Sequence, residues 1–187
     1  MADFENVFGN QVATPFGRFV FFDLESENTQ AKHPLNKYPS DRFDVTLIFE
    51  KGADFSALRA ECERVAQQAF KKVEGIEMPF ANGDEKSMDC MKGHIVVRAK
   101  SKKKPGLVDE HKSRMNSEEE MRSGMWGRII VSPFSYTSGR TKGVTLLLKK
   151  AQVCLDRPYD VIGIGGADAD FDDSASGGSP KEDSQPF

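Results

Sequence analysis

Hydrophobic and polar positions along the chain follow two different periods. Phe16 to Leu24 (FGRFVFFDL) is aromatic and β-branched and is bounded by Pro15, which predicts a strand. Phe43 to Phe49 alternates, with Phe43, Val45, Leu47 and Phe49 on one face and Asp44, Thr46 and Ile48 on the other, as a half-buried strand does. Between them ESENTQAKHPLNKYPSD has two prolines and no period, and reads as a loop. From Asp54 or Ser56, either of which can cap a helix, the period changes. Phe55, Leu58, Cys62, Val65, Ala69 and Val73 recur at steps of three and four, the stripe of an amphipathic helix reaching about Val73. Its polar face mixes both charges and reads as solvated.

ANGD (81–84) is a turn. His94 to Lys100 then alternates, with Ile95, Val97 and Ala99 opposite His94, Val96, Arg98 and Lys100. SKKKPG (101–106) is a loop. Trp126 to Phe134 is a further strand, with Ile129 and Val131 on one side and Trp126, Arg128, Ile130 and Ser132 on the other; Pro133 marks its end or an edge. SGRTKG turns the chain into a last strand from Val144 to Leu148, extendable to Val153. Several strands, one helix and no βαβ alternation predict a mainly β domain, a small Greek-key barrel with a helical insert, over residues 1–165. Residues 166–187 (DADFDDSASGGSPKEDSQPF from 168) are acidic and rich in Gly and Ser, and predict a disordered tail closed by Phe187.

Composition narrows the function classes. No apolar run approaches a membrane span, and MADFENVFGN lacks the basic and apolar regions of a signal peptide. Cys62, Cys90 and Cys154 are too few and too scattered for a disulfide framework or a zinc site, and suit a reducing cytoplasm. The net charge of −3 conceals an asymmetry. Residues 86–150 hold fifteen Lys or Arg against six Asp or Glu, a net +9, whereas residues 168–187 hold six acids and one base, a net −5. A basic middle points to an anionic partner, and the acidic end can imitate that partner.

Catalytic patterns are missing. His33, His94 and His111 fall in different segments without metal-ligand spacing, no nucleophile elbow occurs, and GIGGAD (163–168) does not open a helix. Asp41, Asp44 and Glu50 are the only candidates for a magnesium-dependent nuclease, and acids scattered along one strand are ordinarily solvated. No enzyme, metal or cofactor is expected. What stands out is the alternation of cations and rings: Arg98, Lys100, Lys102, Lys103 and Lys104, then Trp126 and Arg128, then Tyr136, Arg140 and Lys142. Cations that follow a phosphate backbone, with rings between them for bases to stack on, suit a single-stranded nucleic-acid groove. An RNA-binding or strand-annealing protein uses the same physics. An interaction module docking through the helix is the reading from another class.

The order of these features resembles a family of bacteriophage single-stranded DNA-binding proteins with an OB-fold core. The resemblance rests on GRFVFFDL, MPFANGDE, a strand ending in AKS, the basic loop with KPGLVD, MWGR, and TKGVTLLLKKAQV, in sequence across most of residues 15–165. It implies an OB-fold barrel that coats ssDNA with little sequence preference during phage replication, recombination or repair, in the host cytoplasm and commonly as a homodimer. It assigns the DNA to the ten residues just named. Such proteins also end in acidic segments that recruit replication or recombination proteins. Here that implies a partner-binding tail of Asp170, Asp172, Asp173, Glu182, Asp183 and Phe187.

Overall fold

The computed structural model describes residues 6–25 and 42–162. The tail residues Asp170, Asp172, Asp173, Glu182, Asp183 and Phe187, and the loop residue Asp41, lie outside them. Two long predicted strands form β2 (Gly17–Asp23) and β3 (Phe43–Glu50), after a two-residue β1 (Val12–Ala13). The helix α1 (Ser56–Phe70) follows, then β4 (Ala81–Asn82), β5 (His94–Ser101), β6 (Gly106–Val108), β7 (Trp126–Ser138) and β8 (Thr141–Val153).

Five of these strands close on themselves. The hydrogen-bonded order is β7-β2-β3-β5-β8, and β8 pairs back to β7, so the ring has no free edge. All pairs are antiparallel except β5 with β8, which meet at Lys100 and Leu147. This is the five-stranded Greek-key barrel of an OB-fold, as the strand pattern and the resemblance both imply. Its interior is the apolar half of each alternation: Phe19, Val45, Leu47, Phe49, Val97, Ala99, Ile129, Val131, Leu146 and Leu148, all with little or no exposure. The helix packs against β1, β7 and β8 and adds Leu58, Cys62, Val65, Ala66 and Phe70 to the same core.

Where residues differ from expectation, hydrogen bonding explains it. The helix stops at Phe70, short of Val73. Lys71 takes a left-handed conformation (φ 59°) and its N–H donates to Gln67. The chain must leave the helix there, because Glu77 then donates to the Lys142 carbonyl and accepts from the Val144 N–H. Asp54 steadies the helix start by accepting the Ser56 N–H, although the capping position itself is Phe55. Pro133 does not end its strand: β7 continues to Ser138. The Pro133 carbonyl accepts the Gly9 N–H, and in a strand the N and C=O of one residue face the same side. Its missing donor therefore faces the N-terminal arm, and no bond to β8 is lost. The hairpin turn is only Gly139-Arg140, with Gly139 at φ 58°, so Lys142 belongs to β8.

Burial also fixes the thiol chemistry. All three cysteines are free, and burial, helped by the charges of Glu61 and Glu63, pushes the Cys62 thiol up to about 12. Only about 10⁻⁴ of it is thiolate at pH 8, so native protein should leave Cys62 unmodified by a thiol reagent while half-exposed Cys90 reacts. Because the folded value lies above the unfolded one, this group's contribution to stability is complete below pH 9 and declines as the pH climbs toward 12. Mass spectrometry of labelled protein, native against denatured, checks the order of reaction.

Candidate nucleic-acid interface

The other half of each alternation forms the outer side of the barrel, but β3 is buried on both faces rather than on one: Asp44, Thr46 and Ile48 are covered too, as are Asp23 and Val96 beside them. Register places Asp23, Asp44 and Lys100 in one row across β2, β3 and β5, and Phe21, Thr46 and Arg98 in the next. Arg18, Ile48 and Val96 make a third row, and Arg18 pairs across to Trp126 at the start of β7. Lys100 and Trp126, 26 positions apart in sequence, thus belong to one continuous sheet face. The strand β5 then runs into the loop of Lys102, Lys103 and Lys104, all exposed, which turns where the Lys103 N–H donates to Ser101 Oγ.

Charge on this wall is held in place. Arg98 Nη2 lies 3.0 Å from Asp44 Oδ2; the carboxylate is almost fully buried, while the Arg98 side chain stays 45% exposed. One edge of the guanidinium is oriented by the barrel and the rest is open to an anion. Burial holds the Lys100 ammonium below the ordinary lysine range, with repulsion from Arg98 adding to the effect and Asp44 opposing it. A phosphate brought alongside would reverse that shift.

A strap formed by the residues after β8 crosses the same wall. Cys154 N–H donates to the Trp126 carbonyl, and Glu110 accepts the N–H groups of Leu155 and Asp156. Arg18 donates from Nε to Gly124 O at 3.0 Å and from Nη2 to Asp160 O. The strap ends with Ile162 buried on Val20, Ile48, Met91 and Val96. Arg157 lies over the Trp126 ring, 3.8 Å from its centroid, with Arg18 at 5.9 Å. Beside the ring is a shallow cleft of about 240 Å³ lined by Arg18, Trp126, Pro158, Tyr159 and Asp160.

The other candidates are placed elsewhere. Arg128 adjoins Trp126, but its Nε donates to Gln152 and its guanidinium covers the Phe16 ring at 4.8 Å. Tyr136 lies about 30 Å along β7 from Trp126 at ordinary strand rise. Its ring rests on Gly143, where a Cβ would come within 2.5 Å of it, and its hydroxyl donates to Glu77. Burial and the Glu77 carboxylate both raise the phenol above its usual value. Arg140 is exposed at the hairpin tip. Lys142 sits over the Phe70 ring at 5.6 Å, on the opposite face of the hairpin from Tyr136. The structure therefore puts Arg98, Lys100 and Trp126 on one side of the sheet, with the three loop lysines beyond the end of β5, and sets Tyr136, Arg140 and Lys142 at the other end of β7.

Several residues on or near this wall were not singled out by sequence. Phe21 shares a row with Thr46 and Arg98, and Arg18, Arg157 and Tyr159 surround Trp126. Phe8, 61% exposed, stacks on Phe134 with centroids 5.7 Å apart. RPYD after the last strand is the one local signal that could have pointed to the strap. The two nuclease acids among the described residues do not assemble: Asp44 is tied to Arg98, and Glu50 lies about 20 Å farther along β3. Among the described residues, Glu110, His111 and Asp156 bring metal-type ligand atoms within 4.8 Å of one another. Both Glu110 oxygens there already accept backbone N–H groups.

Comparison with known proteins agrees with this fold. The family profile described as Enterobacter phage Enc34, ssDNA-binding protein, matches residues 27–180. No curated protein sequence matches the chain. Among solved structures, the single-stranded DNA-binding protein from bacteriophage Enc34 superposes with a TM-score of 0.64 at 15% identity, over 83% of this chain and 85% of that one. The same protein in complex with ssDNA gives 0.63 at 15% identity, over 83% and 89%. Gp2.5, a single-stranded DNA-binding protein encoded by bacteriophage T7, gives 0.56 at 16% identity, over 91% of this chain and 100% of that one.

Proposed function

The chain belongs to the family of the Enterobacter phage Enc34 single-stranded DNA-binding protein, and from that premise we propose how it holds a strand. It is an ssDNA-binding protein of phage replication, and the outer wall of β2, β3 and β5 is its binding surface. The observation that supports this reading is that Arg98, Lys100 and Lys102–Lys104 lie on the same side of the sheet as Phe21 and Trp126, with the buried Ile48 and Val96 between them. In OB-folds generally, the second and third ring strands present oligonucleotide-binding faces. Here those are β3 and β5. Phosphates run along the cations, releasing counterions, and bases stack on the rings at about 1–3 kcal/mol each. Every base has a π-face, so the binding is tolerant of sequence. Tyr136 and Arg140 extend the path for a longer strand around the hairpin.

The acidic segment belongs to the same proposal. Ile162, the last described residue before the acidic segment, sits on Ile48 and Val96, one row from Thr46 and Arg98. Asp170, Asp172, Asp173, Glu182 and Asp183 compete for those cations until a strand displaces them. They and Phe187 then become available to replication or recombination proteins. Homodimer formation is part of the same reading.

One binding experiment tests it. Labelled oligo-dT is titrated with the full chain and with the chain lacking residues 168–187, against unlabelled duplex and RNA competitors of equal length. The expected result is competition by ssDNA and not by duplex, with tighter binding by the shortened chain at low salt only. Competition by duplex as strong as by ssDNA would remove the stacking groove. Stronger competition by RNA would reassign the surface.

A further inference from the structure

We propose that Trp126 is the floor of a one-nucleotide slot that the free protein keeps closed with its own Arg157. When a strand binds, a nucleobase replaces the guanidinium on the indole and Arg157 turns onto a neighbouring phosphate. This inference rests on reading the barrel wall as an ssDNA surface.

Three observations carry it. First, the place a base would occupy on Trp126 is taken. A guanidinium 3.8 Å from the ring centroid occupies the spacing of a stacked base. Arginine is the side chain best able to imitate that base, being planar and weakly hydrated. At an exposed site, however, this contact is weaker than base stacking, so the exchange favours the base.

Second, clearing the ring needs only a side-chain rotation. The backbone on either side of Arg157 is pinned: Glu110 holds the N–H of Asp156, and Arg18 holds the carbonyl of Asp160. Farther on, Ile162 is buried and its N–H donates to Ser123 O at 3.2 Å. Arg157 itself is exposed, and Pro158 next to it restricts the backbone.

Third, a shallow cleft beside the indole has room for a base. Its volume is about 240 Å³, and it offers Tyr159 as a second ring and Arg18 as a second cation. Because Arg18 pairs with Ile48 in the row next to Phe21, Thr46 and Arg98, a base seated here is in line with phosphates on those cations. Arg157 is therefore a positioning residue with two partners: the indole in the free protein, a phosphate in the complex.

Trp126 is the only tryptophan, so its emission reports on the slot directly. Intrinsic fluorescence of the full chain is followed with unlabelled oligo-dT, in parallel with polarisation of a labelled copy across several salt concentrations. In the native chain, quenching should rise in step with polarisation. Arg157→Ala should still bind and quench, with the slope of log affinity against log salt shallower by about 0.7–1, one phosphate contact fewer. Arg157→Lys should restore the slope. Trp126→Leu should lose about 5- to 150-fold in affinity, the equivalent of one stacked base, with the slope unchanged. If Trp126→Leu folds poorly, Trp126→Phe, keeping a smaller ring, should show an intermediate loss. The inference is overturned if polarisation reports binding while the indole emission stays constant. It is equally overturned if Arg157→Ala lowers thermal stability but leaves the slope at its native value. Absence of any polarisation change would instead remove the ssDNA reading itself.

Discussion

Replacing Lys102, Lys103 and Lys104 together by alanine should weaken ssDNA binding about 100-fold at 0.1 M salt. Each phosphate neutralised on a single strand contributes about 0.7 to the slope of log affinity against log salt. Three lost contacts therefore make the slope shallower by about 2, which at 0.1 M is about two decades of affinity. All three side chains are exposed, so thermal stability should stay within about 0.5 kcal/mol of the native chain. That separates them from Arg98, whose removal also strips a partner from the buried Asp44 carboxylate and mixes a folding penalty into the binding loss. Affinity and slope both unchanged in the triple variant would mean that the loop only solubilises the chain.

The largest effect on folding should come from Phe19→Ala, with a loss of about 3–5 kcal/mol in denaturant unfolding. Phe19 has no exposure and makes an edge contact with Phe22, centroids 6.3 Å apart. It also fills the point where the ring closes. β2 meets β7 at Gly17 and Gly127, and a Cβ on Gly127 would fall 2.3 Å from the Phe19 ring. The absent side chain at 127 is what lets the ring enter, so the cavity left by alanine has rigid strand backbone on both sides and cannot collapse. A domain of this size is stable by about 5–15 kcal/mol, so the loss is a large share of the total. A loss below about 1 kcal/mol would mean that this closure is looser than its packing implies.

The barrel was legible in the sequence because alternation is a local signal. FDVTLIF and HIVVRAK each divide into an apolar and a polar half, and the structure pairs them residue for residue from Phe43–Ser101 to Glu50–His94. Short strands without a full period, Val12–Ala13, Ala81–Asn82 and Gly106–Val108, left no such pattern. FVFF was ambiguous for a different reason. An irregularity between Phe19 and Phe21 changes the register, so strict alternation does not reveal that Phe21 faces outward. Of the candidate site, Arg98 and Lys100 were legible because they occupy the polar phase of a strand, and Lys102–Lys104 because they form a run of one charge. The interception of Trp126 by Arg157 was not, since it depends on a strap 31 residues later crossing the barrel wall. Lys142 shows the opposite failure: two positions from a turn it reads as groove-lining, yet pleat parity turns it toward Phe70.

The most direct test of where the strand lies is photocrosslinking of the full chain to oligonucleotides carrying 5-iodouracil, with the attached peptides identified by mass spectrometry. Attachment is expected in peptides containing Phe21, Trp126 or Tyr159 and in the segment spanning Arg98 to Lys104. Attachment confined to the exposed face of α1, with none on these peptides, would contradict this placement.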